Sequence, residues 1–180
     1  MASTGRNSET QLLLGEWACL GVLAAGPTHG FAIAQRLRPE GDVGRVWSLS
    51  RPLTYRSLEQ LANRGLIEPV GEVPGIAGGN KTVLDVSSTG RRLLAHWLAT
   101  PVVHLRDLRS ELLLKLVIAR MLHVNTRSLI AAQHQLVAAL AAAYGAQVDD
   151  AQPDADVVSL WRSESAQAAL RFLQRLSDAP

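Results

Sequence analysis

A single cysteine, Cys19, excludes an intramolecular disulfide. It lies in the apolar run Trp17-Ala-Cys-Leu-Gly-Val-Leu with no activating positive neighbour in sequence, so it reads as a buried, inert thiol. The five histidines (29, 96, 104, 123 and 134) form no short ligand pair and no Cys/His cluster, so neither a metal nor a cofactor is expected. Charge of one sign is scarce too. The formal net charge is +2, which excludes a strongly basic stripe and leaves nucleic-acid binding undemonstrated by bulk charge. The longest apolar stretches fall short of the roughly 18 residues of a membrane span, and no basic-plus-apolar leader opens the chain. A cytoplasmic protein with no membrane partner is the expectation. No Gly-rich phosphate loop runs into Lys and Ser/Thr, and no nucleophile elbow is present, so no catalytic residues and no enzyme activity are expected.

Against these absences, 47% of the 180 residues are hydrophobic, enough for a folded core. The positive charge is local. Six arginines from Arg36 to Arg64 face only Glu40, Asp42 and Glu59, whereas the region from His96 to Pro180 has eight basic and eight acidic residues. The most informative segment lies inside the basic stretch, from Ser50 to Glu68. Ser50 can cap a helix, Pro52 is tolerated in its first turn, and Gly65 can end it in the left-handed conformation. Thr54, Leu58 and Leu61 share one face, while Arg51, Arg56, Gln60, Asn63 and Arg64 lie mostly elsewhere. A two-strand pattern follows, Leu66 to Val73 and Lys81 to Val86, around a tip rich in Gly and Pro. Helix followed by hairpin is the order of a winged helix-turn-helix, whose helix enters the major groove of DNA.

Around this segment the pattern is helical. Residues 1–9 read as a flexible terminus. Thr10 to Ala25 carries a stripe of Leu13, Trp17, Leu20 and Leu23/Ala24, stopped by Gly26-Pro27. Thr28 can cap a short helix from His29 to Leu37. Ser87 or Ser88 can cap Thr89 to Ala99, which Pro101 ends. Beyond it glycine almost vanishes, and three amphipathic stripes follow. The first is Leu105, Leu108, Leu112 and Leu116. The second is Leu129, Gln133, Leu136, Leu140 and Tyr144. After a break at Asp149 to Pro153, Asp154 or Asp156 starts the third: Val158, Trp161, Ser165, Ala169, Phe172 and Leu176. The expected fold is mainly α with a small β-hairpin wing. It comprises a winged helix-turn-helix domain at 10–100 and a C-terminal α-helical dimerisation domain at 101–180. A second copy of the chain is the simplest cover for the C-terminal stripes.

These residues resemble a known family. Gly26-Pro27-Thr28-His29-Gly30-Phe31-Ala32-Ile33 is similar to the Gly-Pro-x-His-Gly-Tyr-x-Ile signature of PadR regulators. Tyr55-Arg56-Ser57-Leu58-Glu59-Gln60-Leu61, with Gly65-Leu66-Ile67, is similar to that family's recognition helix. Asn80-Lys81 and Ser87-Ser88-Thr89-Gly90 stand at its basic wing tip and the start of its next helix. The match covers about Ala18 to Trp97. The resemblance implies a bacterial transcription regulator, usually a repressor, dimerising through its C-terminal helices and released in some members by a small aromatic or cationic ligand. Three positions depart from the pattern. Pro52-Leu53-Thr54-Tyr55 replaces Gly-Thr-(Leu/Ile)-Tyr, Phe31 replaces the signature tyrosine, and Leu84 stands for the usual wing tyrosine. Base preference therefore does not carry over.

The function expected is a sequence-specific DNA-binding regulator, a homodimeric repressor on a palindromic operator. The alternative is a winged-helix protein-interaction module without specific DNA binding. Arg51, Leu53, Tyr55, Arg56, Ser57, Gln60 and Lys81 are the candidate contacts to double-stranded DNA. Arg51, at the helix N-terminus, is the first choice for a base edge. Leu53 can meet only a thymine methyl. Each position also has a plain reading: solvated charge for the cations, core packing for Tyr55, surface polarity for Ser57 and Gln60. Gly30 suits close approach of two helices, and His29 suits a bond to a turn carbonyl. Trp97, and after it Trp17, are candidates for stacking on a small aromatic effector, against core anchoring for both.

Overall fold

The computed structural model describes residues 11–75, 79–149 and 156–178. Contacts divide the chain into two compact units. One runs to Trp97 and takes in Arg120–Leu122, and the other holds Leu98–Ala119 and the chain from His123.

The first unit begins with α1 (Leu14–Ala24). The Leu13 N–H donates to Glu16 Oε2 at 2.8 Å, so this helix starts four residues later than Thr10. Leu13, expected in the buried stripe, is the exposed cap residue, and Trp17, Leu20 and Leu23 are buried. Thr28 does not cap a helix. It pairs with Leu84 in a two-residue strand, β1 (Thr28–His29). The cap of α2 (Gly30–Arg36) is His29, whose Nδ1 accepts from the Ala32 N–H at 3.1 Å. The ring thus bonds an amide of the first helical turn rather than a carbonyl.

The next helix, α3 (Arg51–Asn63), has the ends read from the sequence. Ser50 Oγ accepts from the Leu53 N–H, Pro52 sits in the first turn, and Gly65 takes φ +65°. Thr54, Leu58 and Leu61 are its buried residues. The hairpin is β2 (Ile67–Pro74) and β3 (Asn80–Val86), in a three-stranded antiparallel sheet of order β1-β3-β2. β2 is an edge strand, which is why it tolerates Pro69 and Pro74, and its register slips between Pro69 and Gly71. Residues 76–78 of the tip lie outside the described residues. Ser87 Oγ then accepts from the Gly90 N–H and caps α4 (Ser88–Ala99). Gly90 is required there, because a Cβ would lie 2.2 Å from the Leu66 carbonyl oxygen.

The second unit opens on a 3₁₀ turn (Leu105–Asp107) and a π-helical stretch (Leu108–Leu112) that lead into α5 (Leu113–Met121). The single α-helix expected from Leu105 is therefore rewound over its first two turns. Then come α6 (Arg127–Asp149) and α7 (Val157–Ser177), the latter capped by Asp156 Oδ1 on the Val158 N–H. The break expected between them falls mostly on residues 150–155, outside the described residues, and so does Asp154. Val102, Leu112, Leu129, Ile130, Val137 and Leu173 form the core. The buried face of α6 is Ile130, Gln133, Val137 and Ala141 beside Leu129, so the stripe is rotated from the one expected, and Leu136 is exposed. On α7 the buried residues are Ala166 and Leu173, while Val158, Trp161 and Phe172 of the expected stripe are exposed.

Two buried polar side chains tie the segment after α4 to this unit. Gln133 accepts from the Val102 N–H (2.7 Å) and donates to the Val102 carbonyl (2.8 Å). Lys115, 1% exposed, donates to the Thr100 carbonyl (2.6 Å) and pairs with Glu111 (2.8 Å). Burial pulls the Lys115 ammonium below its ordinary range, and the hydrogen bond and charge of Glu111 pull it back up. A Gln133→Met variant keeps the length of the side chain and strands both Val102 backbone groups. It should lose about 2–6 kcal/mol of stability by urea denaturation, the sum of two unsatisfied buried groups. Burial also pushes the Cys19 thiol up to about 12, from an ordinary 9.0. The folded state therefore keeps a proton that the unfolded chain releases, and stability should fall as pH rises from about 9 towards 12. At pH 8 the native thiol should stay unlabelled by iodoacetamide and react only on unfolding.

Candidate nucleic-acid interface

Packing of Thr54, Leu58 and Leu61 inward decides what α3 presents outward. Thr54 is fully buried, and its hydroxyl donates to the Ser50 carbonyl at 3.1 Å. Leu53 is 49% exposed and Tyr55 and Arg56 are exposed with it. The exchange of polar and apolar residues at positions 53 and 54 thus places the hydroxyl inside, where a backbone carbonyl satisfies it, and an isobutyl group on the open face. Gly30 lets α2 approach α3, because a Cβ there would lie 2.9 Å from Tyr55 Cε1.

Between α2, α3 and the hairpin lies an open groove of about 770 Å³. Phe31, Tyr55, Leu58 and Leu84 give it apolar walls, and Arg51, Lys81, Asn80 and Thr82 line it with donors. Glu59 is the acidic residue in its lining. Arg51 comes from α3 and Lys81 from β3. The Arg51 guanidinium carbon stands 5.5 Å from the centre of the Phe31 ring and 5.7 Å from that of Tyr55, and Lys81 Nζ stands 5.2 Å from the centre of the Phe31 ring. Both are within cation–π range.

Other arginines are committed elsewhere. Arg91 pairs with Asp85 at 2.6 Å, Arg64 lies 3.9 Å from the buried carboxylate of Glu16, and Arg36 pairs with Asp42. The hydrogen bond from Arg36 holds the Asp42 carboxyl below its usual range, against the opposing effect of burial. Among the described residues, Arg51, Arg56 and Lys81 have no carboxylate within 4.0 Å.

Arg51, Leu53, Tyr55, Arg56 and Lys81 all lie on exposed or partly exposed positions of α3 and the hairpin. Ser57 does not share that face. It is half-buried and lies against Gly15 of α1 beside the Cys19 thiol, and Gln60 is half-buried too. Phe31 is the groove residue that the sequence did not reveal. Its signature position marked it, but its two cation contacts arise only in the folded unit. Trp17 and Trp97 are buried and stacked on each other, centroids 4.5 Å apart and planes at 7°, so they join α1 to α4 as a core anchor. No group of three or more His, Cys, Asp or Glu residues could hold a metal among the described residues.

The chain is similar to solved structures of PadR regulators. Bacillus subtilis PadR in complex with operator DNA aligns over 90% of this chain and 96% of its own, at 18% identity and a TM-score of 0.46. The same protein in complex with p-coumaric acid aligns over 91% and 93%, at 19% identity and 0.41. A PadR-like transcriptional regulator from Bacillus cereus aligns over 91% and 96%, at 16% identity and 0.40. No protein-family model and no curated protein sequence matches the chain.

Proposed function

We propose that this protein is a sequence-specific DNA-binding transcription regulator, a homodimeric repressor that occupies a palindromic operator and occludes RNA polymerase. The observation that carries the reading is a set of cations free of carboxylates, Arg51 and Lys81 lining one groove and Arg56 exposed on the same helix as Arg51. Arg51 and Arg56 project from the exposed side of α3 and Lys81 from the hairpin, none paired to a carboxylate among the described residues. An arginine already held by a carboxylate must lose that partner to meet a phosphate; these need not. Exposed Leu53 supplies an apolar contact of the kind a thymine methyl accepts.

Dimerisation is supported by α7. Val157, Trp161 and Val158 are 75%, 72% and 46% exposed, with Phe172 further along the helix. A surface indole flanked by valines is costly to leave in water, and a second copy of the chain covers it at the least complexity. Two copies present two recognition helices, which is what a palindrome requires. Residues Arg127–Ala146 of α6 are long and apolar enough to cross a membrane by length and composition. Gln133, buried in that span and bonded to Val102, supports instead a core helix of a cytoplasmic protein. Release by a small aromatic effector is part of the reading, but a planar ligand would have to part the buried Trp17–Trp97 stack to reach either indole, so it is not assigned to that pair.

Fluorescence anisotropy on the chain's own upstream DNA, against a scrambled duplex at several salt concentrations, tests the reading. Tight selective binding is expected, with Arg51→Ala weakening it by about 1–3 kcal/mol as a base contact would, and Arg56→Ala lowering the salt slope by about 1. Equal weak binding to both duplexes would overturn it in favour of a protein-interaction module. For the dimer, Trp161→Asp should sediment as a monomer where the parent sediments as a dimer.

A further inference from the structure

We infer that Phe31 is a positioning residue that holds Arg51 of the recognition helix and Lys81 of the wing on one aromatic ring, so that the two grip DNA as a unit. The inference rests on the DNA-binding reading above and adds the device that arms it.

The geometry is specific. Arg51 and Lys81 belong to elements far apart in sequence, yet both charged groups lie within 5.5 Å of the centre of the same ring. Tyr55 takes the guanidinium of Arg51 as well, at 5.7 Å. Phe31 is held from below by its place in the first turn of α2, which the His29 cap fixes. It is half in solvent, at 38% exposure, so the cations stay hydrated on their outer sides and open to a phosphate.

The chemistry explains the choice of a ring. A flexible arginine or lysine loses rotamer freedom when it docks, at a cost of roughly two- to tenfold in affinity for each side chain. A carboxylate could prepay that cost, but it would neutralise the charge that DNA must meet. The face of a benzene ring orients a cation through its quadrupole and leaves its net charge intact. Two like charges sharing one ring also repel each other, and a phosphodiester placed between or above them relieves that repulsion. The ring therefore favours occupancy of the groove by a single anionic strand.

Fluorination of the ring separates this role from packing. Site-specific replacement of Phe31 by mono-, di- and trifluorophenylalanine keeps its shape while draining its negative face. In the free protein, ring-current shifts of the Lys81 ε-methylene and Arg51 δ-methylene protons report the clamp without DNA. Both should be present in the parent and lost in Phe31→Leu. On the operator, affinity should fall stepwise with fluorination to about tenfold, Phe31→Leu should match the trifluoro protein, and Phe31→Trp should restore binding. Absent ring-current shifts would overturn the clamp. So would shifts that are present while a selectively binding parent shows a flat or rising affinity across the fluorinated series. A parent that shows the shifts but binds no duplex selectively would instead overturn the DNA-binding reading, and the gripping role with it.

Discussion

The packing of one helix face governs the first unit. Thr54, Leu58 and Leu61 turn inward on α3, and everything the helix offers outward follows from that choice. Its orientation has little slack. Gly30 brings α2 to within a ring's contact of Tyr55, and Ser57 meets Cys19 on α1. Cys19 in turn lies 4.0 Å from the Thr54 carbonyl oxygen. Close-packed interiors transmit such constraints, so a rotation of α3 would have to displace α1 and α2 together. The groove cations inherit their positions from this apolar contact rather than from ion pairs of their own.

The second unit is organised by polar groups where apolar ones would be expected. Gln133 and Lys115 are buried in a helical core otherwise made of Leu, Ile, Val and Ala, and both spend their hydrogen bonds on the stretch Thr100–Val102. Val102 lies outside any helix, so burying its amide and its carbonyl requires a side chain that serves both. The Lys115–Glu111 pair would be a net burden if judged as an ion pair alone. Its function is to bring a donor to a buried carbonyl, with Glu111 holding the ammonium in its charged form. The unit then closes its core on Leu173 of α7 and leaves Val157, Val158, Leu160 and Trp161 at the start of that helix exposed.

How far the sequence foretold this depends on how local each signal is. Both ends of α3 were legible because Ser50, Pro52 and Gly65 act through their own backbone geometry. The hairpin was legible because its strands are long enough to show a pattern. β1 was not, since two residues have no period, and His29 took the cap expected of Thr28 because Thr28 was needed by the sheet. The face of α6 was misjudged by a rotation of the stripe. A helix this rich in alanine is apolar almost all round, so the side that holds Ile130, Val137 and the hydrogen-bonded Gln133 does not stand out in its sequence. The 3₁₀ and π winding before α5 left no mark on a leucine spacing that fits an α-helix equally well. The stripe on α7 was misjudged too, since Val158, Trp161 and Phe172 are exposed and the buried residues are Ala166 and Leu173. Within the site, the cations of α3 and the wing could be named from their positions. Ser57 sits at the margin of the buried face, where helical spacing alone does not decide between inside and outside. The contacts of Phe31 could not be read at all, because they join three elements.

A net charge of +2 need not weaken the case for a polyanionic partner. Attraction at long range is screened within roughly 8–10 Å at physiological salt, so what matters at contact is which charges are free. Arg36, Arg64 and Arg91 already lie within ion-pair range of carboxylates and add little to the field at the groove. Arg51 and Lys81 rest on an uncharged ring and keep theirs. A count of charges along the sequence treats these two groups alike. The fold separates them, assigning some arginines to structure and leaving others, held in place but not neutralised, for a partner.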